Sequence, residues 1–505
     1  MRSGRPLAVA IDVGTTGARA AAFSLDGSLV AEIRQRYRTY VTRPGWAEQD
    51  PRDWADGAVS VLGRLAARVA GRGVIRGIGL TGQCPTVAPV DRHGQPVGPG
   101  MLYRDNRAVG EAAQMRAAFG PAEYHRRTGH VPEAFHVGAK ILWLRRHSPE
   151  VYRATGYFLQ PRDVVLHRLT GVFATDQTHA NASLFYDLVR RQWDAGLLAA
   201  FGVEATLFPP VLPSWEVAAG LPPVIAAELG LPAGIPVVIG AADSQCAAYG
   251  AGITGPGAIS EMAGASSCLN SVVAAPLADP RITHYSYVLP EVFCTELGVN
   301  TTGAALEWAV RRLGYPDHGA LAADAERHAR RLSRLDPVDG TPLFLPYLGD
   351  GERDDPSLRG GFVGLADRHD RAALAFAVVE GVALSVAAVL AVLEAAGSAA
   401  AELRVGGGGA HTQLAGQLKA ELLGIPVRHL DLDSAGLGAA MLAASAAGHA
   451  DEAGRAITAA VARARTLRPT PAGQARESAR FAWFLATVAA AAVHRPEPPE
   501  MEGPR

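Results

Sequence analysis

The stretch that decides the fold is Ala8-Val9-Ala10-Ile11-Asp12-Val13-Gly14-Thr15-Thr16-Gly17-Ala18-Arg19-Ala20. In it, an apolar strand ends at an acidic residue and a turn of small residues, and a second strand leaves the turn. This pattern puts Asp12 beside unhindered backbone N–H groups and two hydroxyls, which suits a metal ion and a phosphate chain together. An ordinary hairpin that closes an N-terminal sheet would use the same small residues. The rest of the chain decides between these two interpretations.

The composition predicts a folded protein with a small-molecule partner. The chain has 505 residues, of which 48% are hydrophobic and 19% charged, and this length predicts roughly two to four domains. A formal net charge of -1 provides no general field to attract nucleic acid or an anionic membrane. We therefore expect neither of those partners.

Cysteine usage and the apolar segments predict a cytoplasmic protein. The four cysteines form no CxxC pair and no apolar signal segment opens the chain, so reduced thiols in the cytoplasm are expected. The longest apolar run, Gly381 to Leu393, is too short to span a bilayer. It predicts a buried helix, bracketed by Glu380 and Glu394.

Several predicted strands lead directly into candidate ligand loops. Three successive strands are expected over residues 7–37, with Asp26-Gly27 as a hairpin turn. A strand over Val74 to Leu80 leads to Thr81-Gly82-Gln83, and a buried strand over Ile235 to Gly240 leads to Asp243. Loops at strand ends are frequent ligand sites, so these positions become candidates.

The second half of the chain repeats the strand, turn, strand pattern of the first. Gly257 to Met262 and Cys268 to Val273 are predicted strands, and Ala263-Gly264-Ala265-Ser266-Ser267 is the turn between them. A chance resemblance between short hairpins is one interpretation. The other is that two such turns clamp a polyphosphate from both sides of a cleft.

A glycine run marks a candidate nucleotide site near the C-terminal end. Gly406 to Gly409 follows a predicted strand over Glu402 to Val405 and precedes a predicted helix over Ala410 to Leu423. Glycines let the backbone approach a nucleotide closely, and a helix N-terminus offers N–H groups. Beyond about Gly448 we expect a tail with a helix around Phe481 to Val493 and a frayed end.

Common nucleotide and metal motifs are excluded by their context. Gly250-Ala251-Gly252-Ile253-Thr254-Gly255 matches GxGxxG, but it is predicted to end a helix rather than to open one. Lys140 and Lys419, the two lysines, do not follow the glycine spacing of a P-loop. The histidines show no HExxH or comparable spacing, which argues against a zinc site held by the protein.

Asp243 is the sharpest single candidate for chemistry. Its place before Ser-Gln-Cys-Ala-Ala is typical of a helix N-cap, worth about 1 kcal/mol. A carboxylate there could also orient a sugar hydroxyl and accept its proton during attack on a γ-phosphate. The two roles are compatible.

Taken together, the motifs resemble the FGGY carbohydrate kinases, and they are most similar to the xylulokinase branch. The markers, in chain order, are Ile11-Asp12-Val13-Gly14-Thr15-Thr16, Pro44-Gly45-Trp46-Ala47-Glu48-Gln49-Asp50-Pro51 with Trp54, Thr81-Gly82-Gln83, Asp105 with Arg107, Lys140 with Trp143, Asp243, Gly264 to Ser267, Gly351-Glu352-Arg353, Gly360 to Leu365, Glu380-Gly381, Gly406 to Ala410 and Gly436 to Ala440. The resemblance runs from about Leu7 to Ala447.

This resemblance implies an α/β protein with two ribonuclease H-like domains of the actin and hexokinase superfamily, flanking a central cleft. We expect an N-terminal domain over residues 1–252, a C-terminal domain over 253–448 and a helical tail over 449–505. By motif match, the resemblance assigns Asp243 as general base, Asp12 as holding magnesium through water, Thr15, Thr16, Gly264, Ser266 and Ser267 as phosphate ligands, and Gly407 and Gly408 as part of the adenosine site. Gln83, Cys84 and Ser244 are expected beside the substrate.

Other markers allow either a structural or a functional interpretation. Trp46 and Trp54 fit an aromatic wall near the sugar or loop packing. The helical pattern around Lys140 and Trp143 favours a packing face with a solvated rim. Asp105 and Arg107 fit a structural pair or direct sugar contact, and Glu352 with Arg353 fits a domain bridge or a local ion pair.

The chain departs from the xylulokinase pattern mainly at its substrate end. Cys84-Pro85 stands where a Met-His pair is usual, Tyr103 replaces a Trp, and Ser244 follows the base where Asn is common. In the second phosphate turn, Ala265 replaces a common Thr. Because a pocket that bonds a particular hydroxyl rejects analogues strongly, these changes put the identity of the sugar in doubt.

The resulting prediction is an ATP-dependent, magnesium-using kinase for a ketopentose, with D-xylulose as first candidate. Ribulose, gluconate, glycerol or another polyol are alternative substrates, and a non-catalytic module that binds ATP or sugar is an alternative class. The retained pair Asp12 and Asp243 favours catalysis. Similarity also suggests a homodimer.

Overall fold

A computed structural model describes residues 4–332, 341–349, 352, 355, 357–407 and 412–493. The strands, in chain order, are β1 (Pro6–Val13), β2 (Gly17–Ser24), β3 (Leu29–Arg36), β4 (Glu48–Gln49), β5 (Val74–Gly82), β6 (Ala88–Val90), β7 (Gly100–Met101), β8 (Tyr157–Leu159), β9 (Thr175–Asp176), β10 (Tyr186–Asp187), β11 (Gln192–Trp193), β12 (Val211–Leu212), β13 (Val217–Gly220), β14 (Pro236–Ala242), β15 (Ala258–Ala263), β16 (Ser267–Val273), β17 (Thr283–Ser286), β18 (Phe293–Val299), β19 (Leu343–Leu345), β20 (Gly361–Val363), β21 (Glu402–Gly406), β22 (Val427–His429) and β23 (Arg465–Leu467).

Helices alternate with these strands along much of the chain. They are α1 (Pro51–Val69), α2 (Val109–Phe119), α3 (Pro121–Thr128), α4 (Val137–His147), α5 (Pro149–Ala154), α6 (Pro161–Thr170), α7 (Gln177–Asn181), α8 (Ala195–Phe201), α9 (Pro223–Leu229), α10 (Asp243–Gly250), α11 (Gly303–Arg312), α12 (His318–Leu332), α13 (Arg371–Ala395), α14 (Gln413–Leu423), α15 (Ser434–Ala444), α16 (Ala450–Ala462) and α17 (Pro471–Val493).

The chain forms two compact units, each built from three segments. The first unit contains the described residues of Met1–Ser260, Asn270–Glu296 and Leu430–Ala464, and the second those of Glu261–Leu269, Leu297–His429 and Arg465–Arg505. The segment Leu430–Ala464 thus packs with the N-terminal half of the chain. The boundaries expected near residues 252 and 448 stay a prediction.

The first unit is built on a six-stranded sheet in the order β13-β14-β5-β1-β2-β3. β1, β2 and β3 form an antiparallel meander, which confirms the three predicted strands, and Gly27 adopts a positive φ of 81° in the predicted hairpin turn. β5 lies parallel to β1 and to β14. Three neighbouring strands therefore share one carboxyl edge.

Both faces of this sheet are covered by helices. Leu7, Val9 and Ile11 of β1 pack in a core with α1, whereas Ala8 and Ala10 pack in a core with α10 and α15. This alternation is expected for a strand buried on both faces. At Gly79 of β5, a Cβ would lie only 2.0 Å from the carbonyl oxygen of Ala439, so glycine permits α15 to pack this closely.

The second unit has α13 at the centre of its helical layer. α12, α14 and α11 all contact this helix, and its residues share a core with theirs. β21 pairs in parallel with β22, which pairs antiparallel with β23. The predicted buried helix is therefore confirmed, although it begins ten residues earlier than Gly381.

The length of α13 corrects the argument that its apolar run is too short for a bilayer. Among the described residues, this one helix of 25 residues is long and apolar enough to cross a membrane, while 78% of its apolar window is buried inside the protein. Inside the second unit, Glu380 of α13 forms an ion pair with Arg480 of α17. Such burial and pairing are typical of a core helix.

The C-terminal region holds more structure than its sequence predicted. Within the helical tail expected over 449–505, one helix was predicted, around Phe481 to Val493; the structure also has α16, and α17 begins at Pro471. The predicted helix over Ala410 to Leu423 begins at Gln413, with Thr412 as its N-cap. The frayed end expected after α17 lies outside the described residues.

Candidate active site

The parallel strands of the first unit bring the predicted site residues to one edge of the sheet. Val13 at the end of β1 and Ala242 at the end of β14 both lie opposite Gly82, the last residue of β5. Asp12 therefore sits one residue before this edge, and Gln83 and Asp243 directly follow it. Carboxyl ends of parallel strands are the usual ligand site of such sheets.

Asp243 is the first residue of α10 rather than the residue before it. The N-cap is Ala242, so the predicted capping position is wrong by one residue. Its Oδ1 accepts a hydrogen bond from the N–H of Ser244 at 2.8 Å. Burial, together with the negative charges of Asp12 and Glu296, raises the pKa of Asp243 to about 8. A carboxyl group with this pKa exchanges protons near neutral pH, as a general base must.

The strand end before Asp243 is held from behind by a buried polar network. The N–H of Ala242 donates to Oγ1 of Thr178 at 2.9 Å. Asp176 accepts a hydrogen bond from the N–H of Thr178 at 2.8 Å, and the guanidinium of Arg162 donates to Asp176 at 3.0 Å. Asp176 and Arg162 are both fully buried. The position of Asp243 thus rests on a buried ion pair.

Glu296 is a second buried carboxylate beside the start of α10. Its Oε2 accepts a hydrogen bond from the hydroxyl of Ser244 at 2.7 Å. Nε2 of Gln245 and Nδ2 of Asn270 donate to the same oxygen, each at 3.4 Å. The hydroxyl of Ser244, predicted to face substrate, is therefore engaged by Glu296.

Side chains hold the carbonyl oxygens of the first turn, Gly14-Thr15-Thr16, which joins β1 to β2. The Tyr37 hydroxyl and Gln83 Nε2, the latter at 3.4 Å, donate to the carbonyl oxygen of Gly14. Gln49 Nε2 donates to that of Thr15 at 2.7 Å. Within the part of the chain that the structure describes, the N–H groups of Thr15 and Thr16 meet no hydrogen-bond acceptor. A turn held by its carbonyls keeps its N–H groups available to an anion.

Asp12 is the residue that the sequence predicted to hold magnesium. Its Oδ1 is buried and meets no hydrogen-bond partner among the described residues. Burial raises the pKa of Asp12, while the Arg19 guanidinium opposes this shift. The described residues contain no group of three or more His, Cys, Asp and Glu that could hold a metal ion. Mg²⁺ keeps waters and takes only one or two carboxylates beside substrate phosphates, so this single oxygen fits it.

Gln83 and Cys84 differ in what they offer a substrate. Gln83 is 1% exposed, and its side chain is engaged with the first turn. Cys84 is half-buried. Burial and the negative charge of Asp243 raise the pKa of the Cys84 thiol well above its usual range. A neutral thiol and Pro85 therefore stand where the xylulokinase pattern has Met-His, and the polar histidine of that pattern has no counterpart here.

For Asp105 and Arg107, the structure favours the structural interpretation. The two form an ion pair of 2.6 Å, and Arg107 also lies 2.7 Å from Glu48. The Arg107 guanidinium stacks 3.6 Å from the ring centroid of Trp46. Trp54 is fully buried in the core and donates from Nε1 to Gln49 at 2.8 Å.

Lys140 lies inside the protein, which agrees with the packing face that the sequence favoured. It is fully buried, and its Nζ donates to the carbonyl oxygens of Leu102 at 2.6 Å and Pro85 at 3.3 Å. Burial lowers the pKa of Lys140 to about 7. The lysine therefore holds the backbone that follows Cys84.

The second unit contains a cavity of about 710 Å³ beside the second predicted turn. Its wall includes Gly264 and Ala265 of the turn, Val379 and Val382 of α13, and Lys419 of α14. The largely apolar wall of α13 suits a flat aromatic base, and the turn suits phosphates.

Backbone groups of α11 hold the carbonyl oxygens of the second turn. The N–H of Thr302 and that of Ala304 donate to the carbonyl oxygen of Ala265, each at 3.0 Å, and the N–H of Gly303 donates to that of Gly264 at 3.1 Å. Gly264, Ala265 and Ser266 are exposed, whereas Ser267 is buried. The Ser267 hydroxyl donates to Glu261 at 2.9 Å.

Position 407 requires glycine for two reasons. Its φ is +94°, and a Cβ would lie 2.4 Å from the carbonyl oxygen of Ala263. The glycine run therefore begins in close contact with the strand that enters the second turn. Gly408 lies outside the described residues.

Of the pair Glu352 and Arg353, Arg353 also lies outside the described residues. The carboxylate of Glu352 accepts a hydrogen bond from the N–H of Asn300 at 3.0 Å.

Several residues of these sites were not assigned from the sequence. Gln49 lies in a quoted motif, and the rarity of lysine could have drawn attention to Lys419. Thr178 and Glu296 have no local signal, because Thr178 reaches Ala242, and Glu296 reaches Ser244, only through the tertiary fold.

Comparisons with known proteins agree with the fold. Residues 7–250 match the N-terminal domain of the FGGY family of carbohydrate kinases, and residues 259–447 match its C-terminal domain. A xylulose kinase of Bacillus subtilis is 28% identical over 87% of this chain and 88% of its own length. A glycerol kinase of Bordetella parapertussis is 30% identical over 97% and 98%. The crystal structure of xylulose kinase from Rhodospirillum rubrum superposes with a TM-score of 0.89 and 30% identity, covering 97% of this chain and all of that one.

The fold is the two-domain, actin- and hexokinase-like fold of sugar kinases. The chain belongs to the FGGY family of carbohydrate kinases. It is therefore an enzyme that transfers a phosphoryl group to an alcohol group of a small sugar or polyol.

Proposed function

We propose that this kinase transfers the γ-phosphate of ATP to a hydroxyl of D-xylulose or a related ketopentose, giving D-xylulose 5-phosphate in the first case. The observation that carries the proposal is Asp243 at the shared carboxyl edge with a pKa raised to about 8. Xylulose kinases among the relatives support the sugar. The glycerol kinase relative supports a polyol as the alternative, and ribulose and gluconate remain further candidates.

In the proposed reaction, Asp243 accepts the proton of the attacking hydroxyl. The new bond forms between that oxygen and the γ-phosphorus, and the bond to the departing ADP oxygen breaks. A positioned base of this kind contributes about 10²- to 10⁴-fold. Gln83, Cys84 and Ser244 are proposed beside the substrate, and the neutral Cys84 thiol supports a changed sugar preference.

Backbone groups are proposed to bind the phosphates. The N–H groups of Thr15 and Thr16 support a site in the first unit, and the exposed turn at Gly264 and Ser266 supports one in the second. Ser267 is proposed as part of the second turn. Positioning and charge neutralisation are what a loose phosphoryl transition state requires.

The cavity of about 710 Å³ is proposed to take the adenosine, and Gly407 and Gly408 of the glycine run are proposed to contribute to the same site. Asp12 would hold Mg²⁺ through water, which its unpartnered Oδ1 supports. When bound, the ion would neutralise charge on the phosphates.

The test is ADP release by the purified protein with ATP, Mg²⁺ and one acceptor at a time. D-Xylulose, D-ribulose, gluconate and glycerol are compared for wild type, Asp243→Asn and a control, Asp56→Asn, which changes an exposed carboxylate of α1. We expect D-xylulose to stimulate ADP release in wild type and Asp56→Asn. In Asp243→Asn, the stimulated rate of ADP release should be at least about 100-fold lower.

Stimulation by glycerol or gluconate alone would keep the mechanism and replace the substrate. If no acceptor raises ADP release above the level of Asp243→Asn, the proposed reaction fails. The homodimer expected from the resemblance stays a prediction, which light scattering of the purified protein measures.

A further inference from the structure

A buried ion pair forms part of the cavity wall in the second unit. Nζ of Lys419 on α14 lies 2.7 Å from Oε1 and 2.6 Å from Oε2 of Glu261 on β15. The side chains are 4% and 1% exposed, and both residues line the cavity. Lys419 is one of only two lysines in the chain.

This ion pair is connected to the second turn through one hydroxyl. Oγ of Ser267 lies 2.9 Å from Oε1 of Glu261 and 3.1 Å from Oγ1 of Thr302. Thr302 in turn donates its N–H to the carbonyl oxygen of Ala265 at 3.0 Å. Ser267 begins β16 directly after the exposed residues of the turn.

We propose that Glu261 and Lys419 are positioning residues that hold the second turn, through Ser267 and Thr302, in the conformation that binds the phosphates of ATP. The inference rests on the proposed function for the ligand of the turn. It assigns Lys419 a role in nucleotide binding that is exerted through the second turn.

The geometry explains why Lys419 acts through Glu261. Both carboxylate oxygens bond its ammonium group, so its charge is balanced inside the protein. A buried charge is tolerated only with such a partner. A turn that is already ordered loses less conformational freedom when a ligand binds, and this strengthens binding.

Ser267→Ala tests the connection without removing either charge. We expect the dissociation constant of ATP, measured by titration calorimetry without sugar, to rise about tenfold through loss of a hydrogen bond to a charged group. KM for ATP should rise similarly, while KM for the sugar stays within about twofold. Ser267→Thr retains a hydroxyl and should restore ATP binding.

The double variant Glu261→Gln/Lys419→Met, which replaces the ion pair by neutral side chains, should weaken ATP binding at least as much as Ser267→Ala.

Ser24→Ala is the matched control, because Ser24 is equally buried and donates to the carboxylate of Asp26 in the first unit. ATP binding unchanged by Ser267→Ala, or weakened equally by Ser24→Ala, would overturn the inference. ATP binding that depends on Ser267 without phosphorylation of any sugar would overturn the proposed function alone. A wild-type protein that binds no ATP would overturn both.

Discussion

The backbone N–H of Ala242 donates a hydrogen bond to Oγ1 of Thr178 at 2.9 Å, directly before Asp243. Thr178→Val keeps the shape of the side chain and removes this acceptor. We expect kcat to fall about tenfold, because a small displacement of a catalytic group is costly in rate. The unfolding free energy should fall by about 1 to 3 kcal/mol, since a buried N–H loses its partner. Steady-state kinetics and urea unfolding measure the two effects.

Thr458→Val is the control for this variant, because Thr458 is exposed and its hydroxyl donates to the carbonyl oxygen of Gly454 within α16. It should leave kcat unchanged. Reduced stability of Thr178→Val with the kcat of wild type would show that Thr178 does not position Asp243.

The pH profile should report the titration of Asp243. The folded pKa of about 8 is raised above the ordinary value of 3.8, so the base is protonated below pH 8. We expect kcat/KM for the sugar to fall about tenfold for each pH unit below that value. The acid limb of a pH series from 5 to about 9 gives the apparent pKa.

Glu296→Gln should move that acid limb to lower pH, because the negative charge of Glu296 raises the pKa of Asp243. Ser244→Ala removes the 2.7 Å hydrogen bond to Glu296 but retains its charge, so its limb should stay at the wild-type pH. If kcat/KM falls at the same pH in wild type, Glu296→Gln and Ser244→Ala, the electrostatic role of Glu296 is contradicted.

Gln49 should be required for the stability of the first turn. It donates to the carbonyl oxygen of Thr15 at 2.7 Å and accepts from Nε1 of Trp54 at 2.8 Å. Gln49→Met leaves both groups without a partner, at a cost of roughly 2 to 4 kcal/mol. Chemical unfolding measures this loss. The control Gln192→Met, at an exposed position of β11, should keep nearly the unfolding free energy of wild type. A similar loss of unfolding free energy in both variants would show that the hydrogen bonds of Gln49 do not stabilise the turn.

Glu477 should make the protein less stable as the pH rises. Its side chain is fully buried, and burial and the nearby charge of Glu380 raise its pKa above the ordinary value of 4.5. The unfolded chain releases this proton at lower pH than the folded protein does. Stability contributed by the protonated form is therefore present below pH 4.5 and is lost as the pH rises through the folded pKa.

Glu477→Gln removes this loss. At pH 8 we expect the variant to be more stable than wild type by roughly 1 to 2 kcal/mol, with little difference at pH 4. Thermal unfolding at both pH values measures it, and Glu326→Gln on α12, at a half-exposed site, is the control. A variant less stable than wild type at pH 8 would show that the ionised form is favoured in the fold.

Local patterns were enough to predict the elements that carry the site. The meander, the strand before Gln83, the strand before Asp243 and the turn at Gly264 all have short-range signals, because strand alternation and turn residues are local properties. The helical tail was expected, but the bounds of its helix at Ala450–Ala462 and the early start of α17 were not. Alanine-rich segments favour a helix, but only packing shows where it begins and ends.

The supporting contacts could not be predicted in the same way. Thr178 is 64 residues from Ala242, and Glu296 is 52 from Ser244. The helical pattern favoured a packing face for Lys140, but it gave no sign of its partners, the carbonyl oxygens of Pro85 and Leu102. Such partners depend on the whole topology, which sequence spacing alone does not contain.

The two lysines have a practical consequence for handling the protein. Both Lys140 and Lys419 are buried and hydrogen-bonded, so the native surface presents arginine but no side-chain amine. Succinimide esters and amine-directed cross-linkers should leave these side chains unlabelled until the fold opens locally. Mass spectrometry of the label at each lysine would then time the opening of the first unit and of the second separately, within a single unmodified chain.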